Sequence, residues 1–177
     1  GYAMAPPVYI YQGNAMRVWD NGEREDYQKF YENGQRFIKK GQYSKATTAF
    51  GSATEAIPSE PNAHFAYAEA LTAAGYWPDA VGEIQIGTIL DQGWKDRAQS
   101  YIEEYRDKDS YQAILDQLKV GQEGKTYKAK SAKFLLAHEY WKSGQKDEAK
   151  AIFRSFTPDD PTYQLAQYFL DYEGENR

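Results

Sequence analysis

The chain has 177 residues and a net charge of −5, from 21 basic and 26 acidic side chains. This balance, without a long run of Lys or Arg, lacks the positive surface that nucleic-acid or anionic-membrane binding needs. No apolar stretch reaches the roughly 18 residues of a membrane-spanning helix. The absence of cysteine excludes disulfides, thiolate nucleophiles and Cys-rich zinc sites.

The N-terminal residues show no helical periodicity. Two prolines at positions 6 and 7 precede a short alternating apolar run from Val8 to Tyr11. Prolines favour extended or polyproline-like backbone, and alternation is typical of extended chain. We therefore expect an extended, mobile arm at 1–21 and a helical domain at 22–172.

Three segments of the helical part repeat one pattern, in which a glycine is followed five residues later by an alanine. The first two glycines are 34 residues apart and the last two are 69 apart, which leaves room for one further repeat that lacks the glycine. A large apolar residue also recurs nine residues after each glycine. The pairs are Gly41 with Ala46, Gly75 with Ala80 and Gly144 with Ala149, and the apolar residues are Phe50, Ile84 and Phe153.

This spacing is typical of an antiparallel helix pair. Glycine adopts the positive φ angle that ends the first helix, and the small alanine lets the second helix approach closely. The pattern resembles the tetratricopeptide repeat (TPR), in which large, small, aromatic, Gly, Ala and Pro residues recur over 34 positions. The resemblance implies an all-α fold of TPR-type antiparallel helix pairs that stack as an α-α superhelix, or solenoid.

The common register divides the helical domain into four repeats and a closing helix, because a solenoid needs a cap on its last repeat. We expect repeats at about 27–60, 61–94, 95–128 and 129–160, a cap helix at 161–172 and a polar tail at 173–177.

The third repeat is degenerate. Asp109 replaces the turn glycine and Ile114 replaces the small alanine. Its first helix is expected to be short, from Arg97 to Tyr105, and a polar loop should follow it.

The sequence shows no constellation of catalytic or metal-binding residues. Its two histidines, His64 and His138, are far apart in the chain, and Glu139 is not followed by the second histidine of a zinc helix. A Gly-x-Ser-x-Gly turn and a phosphate-binding glycine loop are also missing. We therefore predict no catalytic residues, no metal and no cofactor, and we expect that the protein is not an enzyme.

The TPR resemblance implies that the first helix of each pair lines a concave groove. In this register an aromatic residue recurs at the fifth position of three repeats and a polar residue at the ninth. Such paired rows suit an extended peptide or an amphipathic helix, although the aromatic residues could instead only pack against neighbouring helices. The predicted groove residues are Tyr31, Gln35, Ile38, Phe65, Glu69, Thr72, Phe134, His138 and Trp141.

These features favour a non-catalytic scaffold that binds a protein or peptide in the concave groove. The alternatives are a self-assembly module, driven by exposed end faces or the tyrosine-rich arm, and a carbohydrate-binding protein, suggested by the 16 Tyr and four Trp.

A second, looser resemblance concerns residues 61–170. The Gly93-Trp94 pair and the run from Phe134 to Tyr140 are similar to features of a set of bacterial TPR proteins, many of them extracytoplasmic. This resemblance favours a bacterial, extracytoplasmic location.

Overall fold

The computed structural model describes the backbone of residues 8–12 and 15–19 and all atoms of residues 21–170. The remainder of the arm predicted at 1–21 and the tail predicted at 173–177 lie outside the described residues.

Two short strands precede the helices. Strand β1 (Val8–Gln12) pairs antiparallel with β2 (Ala15–Trp19), with Val8 opposite Trp19 and Gln12 opposite Ala15. The sequence analysis expected extended backbone here but did not predict that the two segments pair. The mobility of the arm stays a prediction.

Residues 21–170 form nine α-helices and one 3₁₀ helix, and helices adjacent in the chain pack against each other. This arrangement confirms the predicted all-α, TPR-like solenoid for the helical part of the chain. The helices are α1 (Asn21–Lys39), α2 (Tyr43–Ala56), α3 (Pro61–Ala74), α4 (Trp77–Leu90), α5 (Trp94–Arg97), the 3₁₀ helix (Ile102–Glu104), α6 (Lys108–Gly121), α7 (Tyr127–Lys142), α8 (Lys146–Phe153) and α9 (Tyr163–Leu170).

The three repeat glycines end α1, α3 and α7 in the same way. Gly41, Gly75 and Gly144 have φ angles of 71°, 89° and 86°. The residue after each glycine donates its backbone N–H to the carbonyl five residues back, at 2.8 to 2.9 Å. This is the Schellman arrangement, which satisfies carbonyls that a helix end would otherwise leave open. The local turn chemistry therefore follows the sequence pattern.

The second helix of each pair carries the close contacts. Ala46, Ala80 and Ala149 are completely buried. One turn further on, Phe50, Ile84 and Phe153 are also buried, at 3% exposure or less. The small residues let the helices approach each other, and the large ones fill the space between them. All six belong to one continuous hydrophobic core.

The third repeat departs from the prediction. Instead of a helix from Arg97 to Tyr105, the chain forms the short α5, an irregular stretch and the 3₁₀ helix. The prediction was wrong because Trp94 and Tyr105 are buried, at 9% and 1% exposure. Burial of these large rings outweighs the weak tendency of so short a segment to form a helix. Without a full first helix in repeat three, α4 packs directly against α7.

The closing helix begins two residues later than the predicted 161–172. Pro161 and Thr162 lie in a turn, and α9 begins at Tyr163. Its residues Leu165 and Phe169 are buried, and α9 packs against α8. Residues 171 and 172 lie outside the described part. None of the helices between residues 21 and 170 is both long and apolar enough to span a membrane.

Two glycines of neighbouring elements should respond oppositely to alanine. Gly75 has a positive φ angle, so Gly75→Ala should lower the free energy of unfolding by about 1–2 kcal/mol. Gly82 lies inside α4 with open space around its Cα, so Gly82→Ala should raise that free energy by about 0.5–1 kcal/mol. Urea denaturation of both variants measures the two changes. Equal effects would contradict the assigned helix end.

Candidate binding site on the concave face

The irregular segment from Trp94 to Tyr105, called here the insert, lies between α3 and α7. Trp94 stacks on Phe65 of α3, with ring centroids 3.9 Å apart and planes inclined by 12°. Its ring also stacks on His138 of α7, at 5.1 Å and 23°. The Nε1–H of Trp141 donates to the carbonyl of Lys95 at 2.9 Å. The insert thus occupies the space that a groove between α3 and α7 would leave open.

A buried ionic cluster lies beside the insert. Lys142 Nζ donates to Glu69 Oε2 at 2.6 Å and to Glu139 Oε1 at 3.0 Å. The Tyr105 hydroxyl donates to Glu69 Oε1 at 2.6 Å, and the Tyr111 hydroxyl donates to Glu139 Oε2 at 3.0 Å. All three charged side chains are at most 3% exposed. The cluster joins α3, α6, α7 and the insert.

The two carboxyl groups of the cluster titrate differently. Burial raises the pKa of Glu139, and the neighbouring charge of Glu69 raises it further, to about 8. Burial alone would also raise the pKa of Glu69, but Lys142 and its hydrogen bonds lower it. Burial disfavours the charge of Lys142, yet the two carboxyl groups raise its pKa. At neutral pH the cluster therefore holds one carboxylate, one ammonium group and one protonated carboxyl group, with no net charge.

His138 is buried in an apolar environment. Burial lowers the pKa of His138 well below its ordinary value, and the nearby charge of Lys142 lowers it further. The ring packs against Trp94, Phe134 and Phe169. Neutral and enclosed by aromatic rings, His138 serves as a packing residue.

His64 is held by two acceptors. Its Nδ1 lies 2.7 Å from Glu83 Oε2, and its Nε2 lies 2.7 Å from the carbonyl of Pro58. Because a carboxylate and a carbonyl only accept, a doubly protonated ring satisfies both. Burial opposes this charge, but the two hydrogen bonds and Glu83 prevail and raise the pKa of His64. The arrangement fixes the start of α3 against α4.

Most of the predicted groove residues lie in the interior. Tyr31 and Gln35 are half-buried, whereas the other seven are at most 5% exposed. Phe65 and Phe134 pack inside the core, which matches the alternative that these rings contact neighbouring helices. Their truncation to alanine would cost about 3–5 kcal/mol of stability and could not test binding separately. The buried residues are Ile38, Phe65, Glu69, Thr72, Phe134, His138 and Trp141.

One part of the predicted groove is still open, at its α1 end. Tyr31, Gln35, Ile38 and Glu69 line a cavity of about 60 Å³ there. The other lining residues are Phe50, Ala66, Tyr101 and Glu104. Four predicted groove residues thus line one cavity, and Tyr101 and Glu104 of the insert line it as well.

The repeat register assigns Tyr105 to a core position, and Tyr105 is buried, but the sequence did not indicate the contribution of Trp94, Tyr101 and Glu104. The signal that could have indicated it is the loss of the turn glycine and small alanine in repeat three, combined with three large aromatic residues between 94 and 105. Rings of this size in a segment without a regular helix have to be buried somewhere. Phe65 of α3 and His138 of α7 bury the ring of Trp94 in this way.

The described residues contain no cluster of metal-ligating side chains. Between residues 21 and 170, no three His, Asp or Glu side chains are grouped as metal ligands. The carboxyl groups of Glu69 and Glu139 both have buried hydrogen-bond partners. The shifted pKa values of these two carboxyl groups therefore have a structural explanation.

The helix pairs with glycine turns, the buried small residues and the inner face define an all-α protein of the helical-repeat class. The family model for the tetratricopeptide repeat matches residues 130–156, which cover most of α7 and all of α8. The chain therefore contains a tetratricopeptide repeat, as the sequence pattern predicted. No curated protein and no solved structure matches it significantly. The resemblance to bacterial proteins stays a prediction.

The protonated state of Glu139 predicts how stability depends on pH. Because the folded pKa of about 8 exceeds the ordinary value of 4.5, the folded state binds the additional proton between these values. This contribution to stability is complete below 4.5 and is lost as the pH rises to 8. Glu139→Gln keeps the hydrogen-bonding shape without the titration, so its stability relative to wild type should increase with pH across that window.

Urea denaturation between about pH 6 and 9 measures this difference. The matched control is Glu148→Gln, which changes an exposed carboxylate of α8 outside the cluster. Its profile should run parallel to wild type. A Glu139→Gln profile that is also parallel to wild type would contradict the assigned protonation.

Proposed function

We propose that this protein is a non-catalytic scaffold that binds a protein or peptide at the open, α1 end of its concave face. Tetratricopeptide repeats generally mediate protein–protein interactions, and all-helical folds of this kind typically serve as scaffolds rather than enzymes. The proposal places the binding surface between α1, the start of α3 and the outer side of the insert.

The observation that supports this surface most directly is that predicted groove residues at the α1 end are still partly exposed. Tyr31 and Gln35, which the repeat register assigns to the groove, are the two predicted residues that keep partial exposure. Both line the cavity at the α1 end. A second, open cavity of about 270 Å³ shares Tyr101 and Glu104 with it, so the two are adjacent.

The side chains around these cavities suit a peptide. Asn62 and Gln99 are exposed and line the second cavity, together with the partly buried Ser100. Such amide and hydroxyl groups can donate to and accept from a peptide backbone, as at other protein interfaces. Tyr31 and Tyr101 supply apolar area with few rotatable bonds, which is favourable for binding.

Capture experiments with matched variants test the proposal. The intact chain would serve as bait in a lysate of the source organism, and each captured protein would be purified and measured by calorimetry. Gln35→Ala combined with Gln99→Ala should weaken the affinity of the chain for the captured protein by about tenfold, because about 1.4 kcal/mol of polar contacts is lost. The control combines Gln112→Ala with Gln145→Ala, two exposed glutamines that line neither cavity.

Equal affinity of both double variants would contradict the proposed surface. Self-association is the main alternative function, and light scattering separates it from the scaffold proposal. A mass that rises with concentration, without capture of another protein, would favour self-assembly. Binding of the chain to a glycan array would favour the carbohydrate alternative.

A further inference from the structure

The cavity at the α1 end has aromatic walls and an acidic lining. The cavity is lined by the rings of Tyr31, Phe50 and Tyr101. The carboxyl groups of Glu69 and Glu104 also line it. Tyr31 meets Phe50 edge to face, with ring centroids 5.4 Å apart. Aromatic faces and carboxylates both attract positive charge, the faces through the ring quadrupole.

The two carboxylates differ in what already satisfies them. Both Glu69 oxygens accept hydrogen bonds, from Tyr105 and Lys142. The carboxylate of Glu104 has no hydrogen bond or ion pair with any residue between 21 and 170, although the side chain is half-buried. A carboxylate that is partly withdrawn from water loses hydration, and a cation is the partner that replaces it best.

The basic groups near this end have partners elsewhere. Lys142 contacts Glu69 and Glu139 and also lies over the ring of Tyr101, 4.8 Å from its centroid. Lys39 donates to the carbonyl of Glu103 at 3.1 Å, and Arg97 pairs with Asp91 at 2.7 Å. Each of them therefore already neutralises or donates to another group. The charge of Glu104 is left facing the cavity.

Two tyrosines of the cavity have raised pKa values. Burial raises the pKa of Tyr31 most, and the charges of Glu104 and Glu60 raise it further. Burial also raises the pKa of Tyr101 most, with Tyr31, Glu69, Glu139 and Glu104 adding to the effect. Both hydroxyls thus resist ionisation chiefly because they are withdrawn from water, and nearby carboxylates add to this effect.

The number of free acceptors selects among cations. Glu104 supplies the one carboxylate of the cavity that has no hydrogen bond or ion pair with residues 21–170. A compact ammonium group forms a point-charge contact with a single carboxylate, whereas the five donors of a planar guanidinium need a wider set of acceptors.

We propose that this cavity is a specificity pocket that binds the ammonium group of a lysine side chain in the partner, with Glu104 as its counter-ion and Tyr31 as its aromatic wall. The inference rests on the proposed function, since the lysine belongs to the protein or peptide that the scaffold binds. It makes the recognised segment basic, which fits the net charge of −5 of the chain.

An NMR titration with a defined probe tests the pocket without a known partner. The probe is lysine with its α-amino group acetylated and its carboxyl group methylamidated, so the side chain carries its only charge. Resonances of Tyr31, Tyr101 and Glu104 should shift and saturate in the millimolar range, as expected for so few atoms. Glu104→Gln should weaken the binding by about tenfold, since one charge-assisted contact is lost.

Two controls make the result specific. Glu103→Gln removes the neighbouring, exposed carboxylate of the same 3₁₀ helix, which does not line the cavity, and it should leave the affinity unchanged. The same probe with its ε-amino group acetylated carries no charge and should not bind. Shifts that fail to saturate, or that are equal for the neutral probe or for Glu104→Gln, would overturn the lysine pocket.

The outcome is separable from that of the proposed function. A captured partner that binds wild type and Glu104→Gln equally, with no saturable probe binding, would overturn the pocket and leave the scaffold proposal standing. Saturable, Glu104-dependent probe binding would support the pocket even if no captured protein depended on Gln35 and Gln99.

Discussion

The fold depends on one buried ammonium group. Lys142 enters the interior from the last turn of α7 and contacts Glu69 of α3, a residue from two repeats earlier. A buried charge is tolerated only when it is paired and hydrogen-bonded. Lys142 also donates to Glu139. The hydroxyls of Tyr105 and Tyr111 donate to Glu69 and Glu139 respectively. The helices α3 and α7 and the insert must therefore stay together.

For the proposed function, this constraint limits which part of the inner face is open to a partner. Tyr105 satisfies Glu69, and Trp94 stacks between Phe65 and His138, so the insert covers the middle of the face. The end formed by α1 has no such cover, and it retains Tyr31 and Gln35 at partial exposure. The proposed binding surface is therefore short, because the insert covers the middle of the face.

The sequence predicted the local features well and the long-range ones poorly. The glycine turns and the small residues such as Ala80 follow from backbone geometry and helix packing within 34 residues, so their spacing indicated the repeats. The insert could not be predicted in this way, because the burial of Trp94 depends on Phe65 and His138, which are far away in sequence. Lys142 resembles an ordinary charged residue of a helix end, and only the fold shows that its charge is buried.

A double-mutant cycle on Glu69 and Lys142 tests this account most directly. Lys142→Met alone should lower the free energy of unfolding by about 3–5 kcal/mol, because it leaves a buried carboxylate without its partner. Combined with Glu69→Gln, the loss should be smaller than the sum of the two single losses by about 1–3 kcal/mol. Losses that add within about 0.5 kcal/mol would show that the two side chains do not interact, and would contradict the buried pair on which the closed concave face depends.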